Sequence, residues 1–451
     1  MQSSQSYITE QLTPYQTGSI KEALHVSYPL MISYLSIYLM IFMHRVVLGR
    51  FSNEAMNAAA TIGLVCFIFD YGLTGIITIV EVLVGKLNGA KKFKHMGQPV
   101  WQAIWLCVFS GFICVPLAFY GSDFLIPKMY QAIGTEYYII SILTCPVFGI
   151  VTALACFFIG QGRGYIVTIA VIISNILNLI LLLCLVFGFW IFPRLGIMGA
   201  AVATAVAQIS QVLILGIIFF SKRNLDHYGS NMWKFDYSIF KEMFTLGLPN
   251  SLSHMLEISA WAIISRMLAV VNNDHVTLFS VGQSLFILVA FFSEGLQKGV
   301  MAISANLIGA KKNYLISKSI ISATYIHLFF CLILFFIILI ANDYIIRIFF
   351  PLGQQIPIIY DKNNINCLWV LLYFMLDGLV WIRIAVLTSF GDVKFIMITN
   401  ITTVVIFAVL PVYIFIVKQY GSSMLSSWQI VSISALVNLL VFYYRSKRFT
   451  I

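Results

Sequence analysis

The chain has 451 residues, of which 60% are hydrophobic and only 10% are charged, and its mean hydropathy is +0.94. Soluble domains carry about 25% charged residues, so the composition excludes a soluble globular protein. It indicates an integral membrane protein.

Twelve apolar runs, the first at 24–48 and the last at 428–444, are long enough to cross ~30 Å of hydrocarbon as helices. The formal net charge of +10 could suggest a nucleic-acid partner, but the basic residues fall mainly on one side of a twelve-span topology. The positive-inside rule therefore predicts that both termini are cytoplasmic. We expect a multi-pass protein of the cell (inner or plasma) membrane. Membrane lipid, not nucleic acid, is the expected partner of this charge.

Other classes of signal are missing from the sequence. Residues 1–19 are polar and precede a full-length apolar segment, so we expect no cleavable signal peptide. The eight cysteines lack metal-binding spacing and are expected to act as small packing residues. There is no Gly-rich phosphate loop and no recognisable catalytic constellation, so we expect neither an enzyme nor a cofactor other than a coupling ion.

The chain carries an internal repeat. The segment 84–92 returns at 304–312, so that Gly89-Ala90-Lys91-Lys92 matches Gly309-Ala310-Lys311-Lys312 at an offset of 220 residues. The same offset carries Pro29, early in the first apolar run, onto Pro249 in the seventh. Each copy has six spans, an even number, so the copies enter the membrane from the same side and form a parallel repeat.

The repeat predicts the domain organisation. We expect an all-α membrane protein whose twelve transmembrane helices form two six-helix lobes related by a pseudo-two-fold axis along the membrane normal. The N-terminal lobe covers 1–220, a cytoplasmic linker covers 221–243, and the C-terminal lobe covers 244–451. Pro29 and Pro249 could permit gating bends, although prolines are also ordinary in membrane helices.

Several short motifs follow in a recognisable order. The segment 196–208, Gly-Ile-Met-Gly-Ala-Ala-Val-Ala-Thr-Ala-Val-Ala-Gln, opens the sixth predicted helix. Gly-Ala turns follow the second and eighth helices, and Gly391-Asp392 follows the tenth. Together these motifs resemble the multidrug and toxic compound extrusion (MATE) family of cation-coupled antiporters. The resemblance implies a monomer that exports amphipathic, cationic organic compounds in exchange for Na⁺ or H⁺ by alternating access.

Five carboxylates fall within predicted spans: Asp70, Glu81, Glu257, Glu294 and Asp377. Each costs at least ~2.5 kcal/mol at mid-bilayer if it is ionised and unpaired. We therefore expect each to face protein, water or a bound cation.

The family resemblance singles out three residues of the second copy. Glu257 matches the seventh-helix acid of the Na⁺-coupled branch, Asp377 matches the tenth-helix acid, and Tyr373 matches an aromatic partner of a monovalent cation. Glu257 and Asp377 are thus the expected ligands for Na⁺, or the groups that take up a proton. The alternative is a structural hydrogen-bonding role.

A wider set of polar residues could line the cavity: His254, Asp70, Asn178, His44 and Gln283. His254 precedes Glu257 by one helical turn and could relay a proton or simply hydrogen-bond between helices. Asp70 could face the cavity.

The remaining intramembrane charges are expected to be structural. Glu294 and Lys298 have i, i+4 spacing and are predicted to neutralise each other. Glu81 is predicted to be interfacial and close to Lys86.

The first copy departs from the family pattern. His44, followed by Arg45, stands where many relatives carry a first-helix acid, and Leu182 stands at the second polar position of a pair that begins with Asn178. A hard-cation site needs several oxygen ligands, so cation binding in this lobe is in question. His44 and Arg45 could pair with Asp70 or extend toward the outer surface.

A second function remains open from the sequence. A flippase for a lipid-linked saccharide or another amphipathic metabolite would need a cationic cavity for a pyrophosphate headgroup. Arg45, Arg266, Lys298 and Arg383 lie in or near spans. Their convergence in one cavity would favour the flippase.

Overall fold

The structure, a computed structural model, describes residues 12–271, 273–349, 357–418 and 426–450. In this part of the chain, twelve helices are long and apolar enough to cross a membrane. The first six are α1 (Ile20–Phe51), α2 (Asn53–Gly89), α3 (Gly97–Tyr120), α4 (Lys128–Gly160), α5 (Gly164–Phe187) and α6 (Ile197–Phe219). The second six are α7 (Tyr237–Val271), α8 (Asn273–Gly309), α9 (Ile316–Phe349), α10 (Pro357–Phe390), α11 (Val393–Val417) and α12 (Ser427–Thr450).

The helices begin and continue for local reasons. At the start of α1, Ser19 Oγ accepts a hydrogen bond from Glu22 N at 3.2 Å, and Glu22 Oε2 accepts one from Gly18 N at 2.6 Å. This reciprocal cap satisfies N–H groups that the first helical turn cannot pair. Pro29 and Pro249 lie inside α1 and α7 without ending them.

The sequence repeat is also a backbone repeat. Lys91 and Lys311 both have φ 59°, in the left-handed region, at the turns that follow α2 and α8. Gly162 (φ 73°) and Gly391 (φ 85°) occupy the equivalent turns after α4 and α10. A side chain rarely adopts this backbone conformation, so two lysines in it at equivalent positions indicate one turn built twice.

The helices pack as two six-helix lobes. Within the first lobe α1 packs on α5, α2 on α4, α3 on α4, and α4 on α6. Six helices later, α7 packs on α11, α8 on α10, α9 on α10, and α10 on α12. Because each lobe crosses six times, α1 begins, α12 ends and the linker runs on the same side, called here the terminus side.

The lobes meet closely at the terminus-side ends of α2 and α8. A Cβ added to Gly89 would lie 1.9 Å from the backbone oxygen of Asn306. The repeat-related contact is equally tight, because a Cβ added to Gly309 would lie 2.0 Å from the backbone oxygen of Lys86. Asn306 also bridges the lobes by donating to Gly160 O at 2.8 Å. The interface therefore follows the pseudo-two-fold relation of the lobes.

A break in α2 lies at a second inter-lobe contact. The helix is interrupted at Thr78, between Asn53–Ile77 and Ile79–Gly89. The Asn250 amide of α7 donates to Gly75 O at 2.9 Å, and the Thr78 hydroxyl donates to the same carbonyl at 2.9 Å. Side chains thus occupy a carbonyl of the helical ladder, which is a recognised cause of helix interruption.

The linker is attached to the first lobe. It contains a short helix, Lys222–Tyr228. Trp101 Nε1 donates to Ser230 O at 2.8 Å, and Gln102 Nε2 donates to Lys234 O at 3.1 Å. These bonds hold the linker against α3.

Small residues allow close helix packing in α6. A Cβ added to Gly199 would lie 2.8 Å from the Leu185 backbone of α5, and Ala200 and Ala203 are fully buried. The packing role of the glycine- and alanine-rich segment is direct, since close backbone approach needs small side chains. All eight cysteines are buried and free.

Candidate functional site

Glu257, Tyr373 and Asp377 line one cavity of about 180 Å³ inside the C-terminal lobe. α7 supplies Glu257 and α10 supplies the other two, while α11 and α12 close the cavity. Four helices of one lobe thus bring together residues that are 120 positions apart in the chain. The cavity is not formed between the lobes.

Asp377 has aromatic neighbours on its own helix. Tyr373 and Trp381 lie one turn before and one turn after it, on the same helical face, and both side chains reach its carboxylate. Glu257 acts on Asp377 electrostatically as a second acid. Asp377 is 9% exposed and Tyr373 is 7% exposed. Asp377 is buried and Glu257 is half-buried, and two carboxylates that share one largely apolar space require a proton or a bound cation to compensate their charge.

Neutral polar groups complete the cavity wall. Asn400 Nδ2 of α11 donates to Ser253 Oγ of α7 at 3.0 Å. Asn438 Oδ1 of α12 accepts from the Thr403 hydroxyl at 2.6 Å. The side chains of Ser253, Asn400 and Asn438 thus add neutral oxygen atoms to the cavity wall beside the two carboxylates. No Lys, Arg or His is among the described residues that line the cavity.

An aromatic cluster backs the cavity. The Trp261 ring lies 5.5 Å from Tyr373, centroid to centroid, and Trp428 lies 5.6 Å from Tyr373. Phe286 packs on Tyr373 at 5.3 Å. The ring faces of such clusters attract cations by about 0.5–2 kcal/mol per favourable contact.

The backbone of α11 is irregular beside the cavity. Its segment Val405–Val409 forms a π-helical turn, and a second π-helical turn spans Tyr413–Val417. Val405, Ala408 and Val409 line the cavity. Because π-turns widen a helix locally and occur often at functional sites, this wall is a natural place for the cavity to change its width.

None of the wider set, His254, Asp70, Asn178, His44 and Gln283, is in the described lining of this cavity. His254 packs near Trp381, with ring centroids 6.5 Å apart, but it is absent from the described lining, as is Gln283. The sequence reasoning missed Trp381, Asn400 and Asn438, which do line it. Their signal was present, because each is a polar or amphipathic side chain within an apolar span.

The N-terminal lobe arranges its polar residues differently. His44 Nε2 lies 3.3 Å from Asn178 Oδ1, so these two residues meet each other. Leu182 is fully buried. Of the two alternatives that the sequence left open for His44, pairing with Asp70 is not observed. Asp70 lies near Cys145 of α4, and its buried Oδ1 has no hydrogen-bond partner.

The lobe interface corrects two expectations about charge. Glu81 was expected beside Lys86 at the surface of the membrane, but its side chain is fully buried between the lobes, with Oε2 3.2 Å from Lys298 Nζ of the other lobe. The expected pairing of Lys298 with Glu294 is therefore also wrong. Glu294 instead accepts a hydrogen bond from the Tyr38 hydroxyl, again across the lobe interface. A prediction from helical spacing can find only partners on the same helix. Here Glu81 and Tyr38, the partners of Lys298 and Glu294, both belong to the other lobe.

The basic residues that a flippase would need have separate environments. Lys298 is held by Glu81. Arg383 lies over the Tyr443 ring at 4.9 Å and donates to Ser446 Oγ at 3.4 Å. Arg45 and Arg266 are exposed. Within the described residues, no group of three or more His, Cys, Asp or Glu side chains could hold a metal ion.

Family comparison identifies the scaffold. The model of the MatE family matches residues 29–184 and 249–414, which is one match in each lobe. The chain belongs to the MATE family. It is therefore a multi-pass membrane protein of a transporter family.

Solved MATE structures share the fold along nearly the whole chain. The structure of MATE in the straight conformation superposes with a TM-score of 0.85 at 16% identity, covering 96% of both chains. An outward-facing multidrug resistance MATE transporter of the MOP superfamily gives 0.83 at 16% identity over 97% of both chains. A MOP superfamily transporter from Pyrococcus furiosus with reverse polarity of its binding pocket gives 0.83 at 15% identity over 96% of both.

The curated relatives match this chain over only part of its length. A probable multidrug resistance protein NorM of Bacillus cereus is 25% identical over 55% of this chain and 57% of its own length. Its Listeria monocytogenes counterpart is 21% identical over 65% of this chain and 66% of its own length. The chain thus spans less than two thirds of these relatives.

Proposed function

We propose that this MATE protein is a secondary antiporter that exports amphipathic, cationic organic compounds in exchange for Na⁺ or H⁺. The observation that carries the proposal is the cavity containing Glu257 and Asp377 without a basic residue in its described lining. An apolar cavity with two acids and aromatic rings in its wall is complementary to a monovalent cation. The relatives named as multidrug resistance proteins support the substrate class.

The size of the cavity suggests how its occupants alternate. Its volume of about 180 Å³ is below the roughly 300–1,000 Å³ of pockets for drug-sized ligands. It suits a small cation with water, or the cationic group of a larger compound. Coupling then follows from competition, because a cation bound by Glu257 and Asp377 weakens the binding of the substrate cation, and the reverse also holds.

Alternating access would use the two lobes as rigid bodies. The described arrangement joins the lobes through Gly89, Gly309 and Asn306 on the terminus side. With the cytoplasmic termini that the positive-inside rule predicts, this corresponds to a state closed toward the cytoplasm. Separation of these contacts would open the protein inward.

The flippase alternative lacks a matching site. A pyrophosphate headgroup requires converging cations, whereas the C-terminal cavity is acidic and Lys298 is already paired. No observation therefore favours this function over the antiporter.

Purified protein in proteoliposomes provides the test. Ethidium is loaded on one side, and a Na⁺ or H⁺ gradient is imposed separately. We expect one of the gradients to drive ethidium uphill, and protein-free liposomes supply the control. Ethidium movement that ignores both gradients would contradict the antiport proposal.

A further inference from the structure

The lobe interface holds a group of four polar residues, defined here as the interface cluster: Glu81, Lys298, Glu294 and Tyr38. It is separate from the described lining of the C-terminal cavity. Two bonds of the cluster cross between lobes. Lys298 Nζ lies 3.2 Å from Glu81 Oε2, and the Tyr38 hydroxyl donates to Glu294. Both bonds join the two lobes, so both are lost when these parts of α1, α2 and α8 move apart.

Burial makes the loss of the ion pair costly. The Glu81 side chain is fully buried and that of Lys298 is 14% exposed. Removing one partner of a buried ion pair leaves an uncompensated charge, which is strongly unfavourable. Glu81 has some local support, because it lies in the first turn of the helix Ile79–Gly89, where the helix dipole favours negative charge. Lys298 lies about three turns before the end of α8 at Gly309, too far from the helix terminus to gain such support, and needs another carboxylate.

That carboxylate is one helical turn away. Glu294 precedes Lys298 by four residues on α8, a spacing at which side chains on one helix meet. Lys298 already acts on Glu294 electrostatically. In the described arrangement Glu294 is held by Tyr38 of the other lobe. Separation of the lobes would release Glu294 at the same moment that it releases Lys298.

The cluster is an addition to the duplicated scaffold. At the repeat offset of 220, Glu81 corresponds to Met301, Lys298 to Thr78, and Glu294 to Thr74. The glycine contacts of the interface occur twice, whereas the ion pair occurs on one side of the pseudo-two-fold axis only. The general packing of the fold therefore does not require it.

We infer that Lys298 exchanges carboxylates during the proposed lobe movement, pairing with Glu81 when the terminus side is closed and with Glu294 when it is open. The exchange keeps the Lys298 ammonium paired with a carboxylate in both arrangements. It therefore lowers the free-energy barrier between them. The inference rests on the proposed alternating access, and it makes Glu81 and Glu294 opposing determinants of the lobe equilibrium.

The test measures the separation of the lobes directly. Nitroxide labels at Lys94 and Tyr314, exposed positions on the terminus-side turns after α2 and α8, report the distance by pulsed electron paramagnetic resonance in nanodiscs. Glu81→Gln removes the partner of the closed arrangement, so the open fraction should rise. Met301→Gln adds the same amide at the repeat-related position and serves as the matched control.

The effect of Glu294 must be measured in a variant that lacks the hydrogen bond between Tyr38 and Glu294. Tyr38→Phe removes the inter-lobe hydrogen bond and should itself favour the open arrangement. Adding Glu294→Gln to Tyr38→Phe should then shift the distances back toward closed, by at least about fivefold in the population ratio, the lower range of conformational coupling. A cluster that only joins the lobes predicts no such reversal.

The outcomes separate the two proposals. Opposite shifts from Glu81→Gln and from Glu294→Gln in the Tyr38→Phe background support the exchange. Two distance populations that do not respond in this way overturn the exchange while leaving alternating access intact. A single unchanging distance under all ion conditions and in all variants overturns both. Should Glu81→Gln fail to fold, the comparison in the Tyr38→Phe background still decides, because it leaves the Glu81–Lys298 pair in place.

Discussion

The inter-lobe contact of Gly89 allows a quantitative prediction. An alanine Cβ at this position would lie 1.9 Å from Asn306 O, whereas ordinary contacts begin at 3.4 Å. Gly89→Ala must therefore move the two backbones apart by 3.4 minus 1.9, or about 1.5 Å. Overpacking of this kind typically costs about 1–3 kcal/mol. Because the contact joins the two lobes, this overpacking destabilises only the arrangement in which the terminus side is closed.

The expected result is a change in the lobe equilibrium. A cost of about 1–3 kcal/mol in one arrangement corresponds to a roughly 5- to 150-fold change in the population ratio. The label pair at Lys94 and Tyr314 should report it as a larger open fraction. Gly309→Ala should act in the same direction, because its Cβ would meet Lys86 O at 2.0 Å.

The matched control is Gly111→Ala in α3. A Cβ there has no heavy atom within 4 Å, so the substitution adds the same methyl group and the same gain in helix propensity without a contact. If Gly89→Ala and Gly111→Ala give the same distance distribution, then the tight contact does not control lobe separation and the reasoning fails.

Two further predictions concern stability. Asn250→Ala removes two hydrogen bonds to the interrupted turn of α2 and should lower the free energy of unfolding by about 1–3 kcal/mol, measured by tryptophan fluorescence in detergent; an unchanged value would contradict the account of the α2 break. Arg445→Gln removes the two bonds to Asp392, at 2.6 and 3.2 Å, and should cost at most about 1 kcal/mol because the pair is partly exposed; a loss comparable to that of Asn250→Ala would be inconsistent with this ranking.

Much of the scaffold could be predicted because its signals are local or periodic. Apolar run length predicted the twelve spans, and the repeat predicted paired lobes, since Lys91 and Lys311 adopt the same unusual backbone conformation. Glu257 and Asp377 stood out as charges in apolar spans, and the structure places them in one cavity. Their meeting was implied by family resemblance and not by spacing, because they lie on different helices.

The interface was not predictable in the same way. Lys298 has a potential partner four residues away, so helical spacing favoured Glu294, while the actual partner Glu81 lies 217 positions earlier. Glu81 was also expected at the membrane surface, because it lies near the end of a predicted span. The choice between partners depends on how two lobes dock, and no local pattern records that. Asp70 illustrates the same limit, since its neighbours come from another helix of its own lobe.

The central claim is that the C-terminal cavity couples cation and substrate. Its most direct test is gradient-driven ethidium transport by the wild type beside Glu257→Gln, Asp377→Asn and the control Asp70→Asn, a carboxylate in a span but outside the described cavity lining. We expect both cavity variants to lose uphill transport while Asp70→Asn retains it. Full activity in both cavity variants would contradict the account.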